Sequence, residues 1–560
     1  MSLASEVLGR RLCLPRAQTR DIFCDPDLSV PMDDGAILLA DRWVARMAQE
    51  RPQPTVLVRS PYGRKQWVGL LFGRLLAERG LQVVIQSTRG TFGSGGEFTP
   101  FDERADGLAT LRWLREQPWH ADRIGLIGPS YLGIVQWAVA SEAGEDLAAM
   151  TIQVSASQVH PQSYGSGSLS LESTASWLAM VGAQESRLAP LAMVRALRRL
   201  PELYSELPLA DLDERVTGSR VTWYREALAN PDRESDYWSV RDYTAGVERV
   251  TLPVQLIGGW HDIFLPWMLE DYSALQRAGS NPQLIIGPWT HISPGLFRTG
   301  MREGIAWLRA HLLGDPRLLH HARVRLRLTG EHDGGGAGWR EFEAWPPPHT
   351  GERRLWLADG GRLEDHAPDH ENGVPDRYHY DPSDPTPSLG GPVLLARTPV
   401  VDNRTLEARP DVVTYTSEPL PLPYEAIGPV RVEIHAGASS PHFDVFARVC
   451  DVDTQGASWN VCDALTRVDP ARFEQASDGI WLVSFELWPI GHRFASGHRI
   501  RLQISSGAYP RYARNPGTGE DPVTATALQP VDIEIFHDAT HPSVLVLPAH
   551  PLQGHVHCPY

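Results

Sequence analysis

The 560-residue sequence has a single lysine, Lys65, few cysteines and no long apolar run. Arginine therefore supplies almost all of the positive charge, and Schiff-base chemistry is excluded everywhere except at Lys65. The five cysteines, Cys13, Cys24, Cys450, Cys462 and Cys558, form no C-x-x-C pair. So sparse and odd-numbered a set argues against a disulfide framework or a zinc ribbon. No uninterrupted apolar stretch approaches the ~18 residues that a membrane span needs. Arg10, Arg11, Arg16 and Arg20 stand among short apolar stretches with no signal-peptide core after them. These absences predict a cytoplasmic protein with no membrane partner. Basic charge is also in deficit: the formal net charge is −16, which argues against nucleic acid as a partner. With 42% hydrophobic and 21% charged residues, the composition is that of a globular chain rather than a disordered or fibrous one.

Three textures follow one another. In residues 1–154, apolar runs at Thr55–Val58, Leu81–Ile85 and Ile124–Ile127 alternate with amphipathic patterns at Trp67–Arg79 and Arg104–Arg115. Such alternation predicts a mostly parallel sheet covered on both faces. It returns in residues 248–320, with strands at Leu252–Ile257 and Gln283–Ile286 and a helix near Ile305–Leu313. Between them, residues 155–247 are helix-like at Leu169–Met180, Leu191–Leu200 and Val221–Leu228, an insertion that reads as a cap over a binding site, with a space-filling structural excursion as the alternative. Residues 321–560 change to period-two runs, such as Arg323 to Leu328, Phe443–Val449 and Ile500–Ile504, separated by Pro/Gly/Asp-rich stretches. Short alternating strands with few helices predict a β-sandwich or jelly roll.

The chemistry concentrates at predicted strand ends. Gly128-Pro129-Ser130-Tyr131-Leu132-Gly133 follows a buried strand and precedes the apolar run Ile134–Ala140. Strand, tight glycine-flanked serine and helix together make a nucleophile elbow, which lifts a hydroxyl above the sheet edge. The usual G-x-S-x-G would have glycine at position 132, where leucine stands. Asp262 follows the strand Leu252–Ile257 through Gly258-Gly259-Trp260-His261, and His291 follows Gln283–Ile286 through Gly287-Pro288-Trp289-Thr290. The order Ser130, Asp262, His291 is that of α/β-hydrolase triads. His261 is a rival base, disfavoured because a neighbour of Asp262 in sequence cannot easily bridge it to Ser130. Tyr62, in the loop after Thr55–Val58, is a candidate oxyanion donor beside the N–H of Tyr131; its alternative is a packed tyrosine with a wet hydroxyl. Trp177, Trp260, Phe264 and Trp289 are candidate pocket residues, with core packing an equal alternative for each tryptophan. The glycine-rich Gly90 to Gly96 lacks the ending of a phosphate-binding loop, and His320-His321 and His366 to His379 are read as solvated loop histidines. No metal and no other cofactor is expected.

These motifs, together with Thr88-Arg89-Gly90, Ser94 to Phe98, Trp345-Pro346-Pro347, Asp411 to Tyr415 and Gly497 to Leu502, resemble the family of cocaine esterase, X-prolyl dipeptidyl aminopeptidase and related acylases. The resemblance spans nearly the whole chain. It implies an α/β-hydrolase domain with an inserted helical cap, then a C-terminal all-β jelly roll. It also implies catalytic roles for Ser130, Asp262 and His291 and an oxyanion hole from Tyr62 and the Tyr131 amide. Family members often have aspartate where Ser87 stands, a change expected to alter loop anchoring rather than chemistry. Glu172 corresponds only by residue type to the acidic residues with which aminopeptidase members recognise a free amine. The expected function is a serine hydrolase that cleaves a carboxylic ester or amide of a small-molecule or short-peptide acyl substrate. An acyl transferase and an X-prolyl or aminoacyl peptidase are alternatives on the same triad; a non-catalytic binder using its jelly roll is the rival from another class. The oligomeric state, a homodimer included, is not legible in the sequence.

Overall fold

Apolar runs with no polar alternation have to be covered on both faces, and the strands they form build the centre of an α/β sheet. The computed structural model describes residues 2–331, 338–371 and 373–551; Cys558 lies outside them. Two units divide the chain: Met1–His160, Asp232–Gly259 and Phe264–Val324 form one, and Pro161–Pro231, Trp260–Ile263 and Arg325–Tyr560 the other. In the first, β1 (Ile22–Pro31) and β2 (Ile37–Ala45) pair antiparallel. They are followed by β3 (Gln53–Ser60), β4 (Gln82–Ser87), β5 (His120–Pro129), β6 (Leu147–Gln153), β7 (Val254–His261) and β8 (Gln283–Thr290). Their order is β1-β2-β4-β3-β5-β6-β7-β8. Strands β4, β3, β5, β6 and β7 pair in parallel, so their carboxyl ends share one edge. Each of these strands read from an apolar run is present and continues past its carboxyl end, although β4 begins one residue and β7 two residues later than read. Helices Arg104–Arg115, Tyr131–Ala140, Leu265–Arg277 and Pro294–Leu313 belong to the same unit.

The second unit takes in the helices Leu171–Ala183, Ala189–Leu203 and Thr222–Ala229, close to the three helical patterns of the sequence. The chain then forms β9 (Val324–Arg327), β10 (Trp339–Phe342), β11 (Gly351–Ala358), β12 (Arg362–Glu364), β13 (Asp376–Tyr380), β14 (Val413–Ser417), β15 (Tyr424–Ala438), β16 (Phe443–Val452), β17 (Ser458–Val468), β18 (Trp481–Phe494), β19 (Arg499–Ser505), β20 (Val531–Phe536) and β21 (Val544–Ala549). Strands β11 to β21 join one largely antiparallel sheet, ordered β13-β20-β15-β21-β11-β12-β14-β19-β16-β17, with β18 on β15. Alternate residues such as Val432, Ile434, Phe443, Phe494, Ile504 and Ile533 fill its core. The expected succession of an α/β domain and an all-β domain is what the chain builds. Ion pairs are buried inside the β unit, among them Arg448 with Asp463 at 2.7 Å and Arg467 with Asp444 at 2.9 Å. No helix among the described residues is long and apolar enough to cross a membrane. Cys13, Cys24, Cys450 and Cys462 are unpaired.

Candidate active site

Ser130 stands between β5 and the helix Tyr131–Ala140 with φ 57° and ψ −126°. A non-glycine residue held there stores strain of about 1–3 kcal/mol, which surrounding contacts have to maintain. The Ser130 N–H donates to the Gln153 carbonyl at 2.9 Å, and its own carbonyl accepts from Gly133 N at 2.8 Å and Ile134 N at 3.2 Å. The flanking glycines are there for close approach. A Cβ on Gly128 would lie 2.3 Å from Leu132 Cβ, and one on Gly133 would lie 2.5 Å from Ser155 Cβ. The departure from the usual spacing thus has a packing reason: Leu132 is buried, and the backbone that must pass close to its neighbour is one residue later. The helix starts immediately after Ser130, so its positive dipole end lies at the serine.

Beneath the elbow lies a buried polar chain that the sequence reading missed. The Tyr131 hydroxyl donates to Glu103 Oε1 at 2.6 Å and accepts from Phe101 N at 2.9 Å. Glu103 pairs with Arg59 at 2.8 Å, and Arg59 Nε donates to Gln86 Oε1 at 2.8 Å. Burial pushes the Glu103 carboxyl up, against the pull of Arg59, and pushes the Tyr131 phenol far up. Arg59 lies on β3 one residue before its end and begins the Arg59–Arg64 segment, so the chain links the elbow to the loop that carries Tyr62. The Tyr62 ring lies edge-on to Tyr131, with centroids 6.5 Å apart, and Tyr62 N donates to Ser60 Oγ at 3.1 Å. Arg64 fastens the far end of the loop through Asp41 at 2.9 Å and Ser87 Oγ at 3.1 Å. Ser87 therefore takes part in anchoring this loop.

At the ends of β7 and β8 are the other two candidates. Asp262 directly follows His261, the last residue of β7, and is fully buried; His291 directly follows β8 and is buried, 5.9 Å from the ring of Phe264. Thr290 N donates to Ser293 Oγ at 2.9 Å, which closes the turn after β8. Ser130, Tyr131, Tyr62, His291, Phe264 and Trp289 all belong to the α/β unit, whereas Asp262, Trp260 and Trp177 group with the β unit.

The candidate pocket tryptophans differ in their surroundings. The Trp289 indole fits where Gly287 and Gly295 have no Cβ; side chains there would come within 2.5 Å and 2.6 Å of it. Trp260 donates its indole N–H to the Arg327 carbonyl at 2.7 Å and lies 5.9 Å from Trp345. Trp177 is half-buried and meets Trp223 edge to face at 4.9 Å. Glu172 is in the first turn of Leu171–Ala183, where it accepts from Ser176 Oγ at 3.1 Å and Leu394 N at 3.3 Å; burial pushes its carboxyl up.

A second acid missed in the sequence is Asp271. It accepts from Ser157 N at 2.8 Å and Ser157 Oγ at 2.6 Å, and burial pushes its carboxyl up to about 8. Its signal was available: it falls on the face of Leu265–Arg277 that buries Met268, Leu269, Tyr272 and Leu275.

Comparison with known proteins covers both units. The profile of the X-Pro dipeptidyl-peptidase (S15 family) matches residues 34–293, and that of the X-Pro dipeptidyl-peptidase C-terminal non-catalytic domain matches residues 320–546. The cocaine esterase of Rhodococcus sp. (strain MB1 Bresler) is 29% identical over 93% of this chain and 98% of its own. Among solved structures, an α-amino acid ester hydrolase has a TM-score of 0.79 at 20% identity, covering 96% of this chain and 98% of its own. An aminopeptidase from the marine sediment archaeon Thaumarchaeota archaeon has a TM-score of 0.78 at 19% identity, covering 96% and 97%. These structural likenesses establish the fold.

Proposed function

Because the chain belongs to the family of cocaine esterase and the X-prolyl dipeptidyl-peptidases, and is a serine hydrolase of carboxylic esters or amides, we propose that Ser130 is its nucleophile and His291 and Asp262 its base and orienting acid. The Ser130 hydroxyl attacks the acyl carbon as its proton passes to the His291 imidazole, and Asp262 fixes the tautomer of that ring. The Tyr131 N–H and the Tyr62 hydroxyl stabilise the oxyanion. The carbonyl re-forms, the bond to the leaving alcohol or amine breaks, and the imidazolium gives that group its proton. Water then repeats the sequence on the acyl-enzyme and releases the acid. Residues 155–247 are proposed as the cap over the bound acyl group, and the unpaired cysteines support placement in the cytoplasm.

The observation that carries this reading is the positive φ of Ser130 at the carboxyl end of a parallel strand. Between a strand and a helix, that backbone turns the serine hydroxyl out above the sheet edge, which is the geometry of a nucleophile elbow. The test is hydrolysis of a 4-nitrophenyl ester by the wild type and by Ser130→Ala, His291→Ala and the double variant. Residues acting as one unit give losses that do not add: the double variant is expected to be no slower than the slower single variant. Multiplying losses, or a Ser130→Ala variant with wild-type turnover, would overturn the assignment.

A further inference from the structure

Far along the chain from Ser130, three side chains of the β unit converge. Asp359 sits in the turn between β11 and β12, His370 in the segment between β12 and β13, and His537 just after β20. One ligand atom from each lies within 4.8 Å of the other two. His537 Nδ1 is 3.6 Å from Asp359 Oδ1, and His370 Nε2 is 3.7 Å from Asp359 Oδ2. These are too long for hydrogen bonds, yet near the ~3.3 Å that separates ligand atoms around a tetrahedral zinc ion with bonds of about 2.0–2.1 Å. None of His370 Nε2, His537 Nδ1 and His537 Nε2 makes a hydrogen bond among the described residues, although the His537 side chain is only 1% exposed. A buried imidazole nitrogen left in that state is costly unless something binds it.

The surroundings of His537 strengthen the case. Its other nitrogen, Nε2, lies 3.2 Å from Asp376 Oδ2, and that carboxylate accepts the Tyr415 hydroxyl at 2.7 Å. A proton kept at Nε2 leaves the Nδ1 lone pair facing Asp359 and His370. Metal-binding histidines are commonly oriented in this way, by a carboxylate on the far ring nitrogen. The segment carrying His370 is already tied to the strand end by the hydrogen bond from Ala539 N to the His370 carbonyl, 2.9 Å.

We propose that Asp359, His370 and His537 form a divalent-metal site of zinc type, with Asp376 orienting His537, that clamps the segment between β12 and β13 onto the β11–β12 turn. Two imidazoles and a carboxylate are the donors that suit zinc, and the fourth position falls to water. The rival occupant is a proton, with His537 as an imidazolium between Asp376 and Asp359.

The test uses the full-length protein, stripped with a chelator and titrated with zinc chloride by calorimetry, with thermal unfolding followed in parallel. One equivalent should bind saturably and raise the Tm. Asp359→Asn and His370→Ala alter exposed side chains, so they should fold as the wild type does while losing at least tenfold in affinity together with the Tm shift. Asp376→Asn touches no metal and should weaken binding 10–100-fold through the orientation of His537. Absence of saturable binding in the wild type assigns the cluster to the proton. Binding that persists unchanged in Asp359→Asn and His370→Ala belongs to other histidines of the chain. Either result overturns the proposal.

Discussion

The hydroxyl of Tyr131, the residue after the proposed nucleophile, donates to Glu103 Oε1 at 2.6 Å with both side chains buried. Through Glu103 and Arg59 the first turn of the Tyr131–Ala140 helix is bound to β3 and to the loop bearing Tyr62. The polar chain therefore ties the residue that carries one proposed oxyanion donor to the strand that leads into the loop of the other. Tyr131→Phe should lower the unfolding free energy by about 1.5–3 kcal/mol, the range for a hydrogen bond to a charged partner. Glu103→Ala should cost more, about 3–5 kcal/mol, because it leaves Arg59 buried and unpaired. Urea unfolding of the two variants measures both.

The strain at Ser130 predicts opposite effects on stability and activity. Ser130→Gly removes the penalty for a positive φ and should raise the unfolding free energy by about 1 kcal/mol while abolishing turnover. A Ser130→Gly variant less stable than the wild type would show that no strain is stored at the elbow. Thermal melts beside ester hydrolysis assays decide the point.

If the Tyr62 hydroxyl stabilises the oxyanion, Tyr62→Phe should reduce kcat about 10²–10³-fold and leave KM within a small factor. A rise in KM with unchanged kcat would instead place Tyr62 in ground-state binding.

Asp271 gives a pH prediction. Its folded-state pKa of about 8 stands above the ordinary carboxyl value of 3.8, so between these limits the folded chain holds a proton that the unfolded chain releases. Stability from this group is complete below about pH 4 and falls as pH rises, at up to about 1.4 kcal/mol per unit, until about pH 8. Asp271→Asn should remove this component, so that its stability advantage over the wild type grows between pH 5 and 8. Chemical denaturation across that range measures it; a constant difference between the two proteins would contradict it.

The sequence was most legible where burial is simplest. Strands β3, β4 and β5 lie inside the sheet and therefore read as plain apolar runs, and glycines around Ser130 mark close backbone approaches that only glycine permits. Strand β17 was not legible, because Asp463 and Arg467 occupy buried positions that alternation assigns to apolar residues; their partners Arg448 and Asp444 come from β16. Glu103 was missed for the same reason: an acid before a helix looks like a surface residue until Arg59 and Tyr131 are seen around it. Asp359, His370 and His537 come together only through sheet topology, which no local spacing announces.

The central claim is that Ser130 is the activated nucleophile. Treatment of the native protein with a fluorophosphonate, followed by mass spectrometry of its peptides, tests it most directly. The account predicts one phosphonyl adduct, on Ser130, that disappears on prior heat unfolding and in His291→Ala. An adduct on another residue, or an unmodified Ser130 in protein shown to be folded, would contradict it.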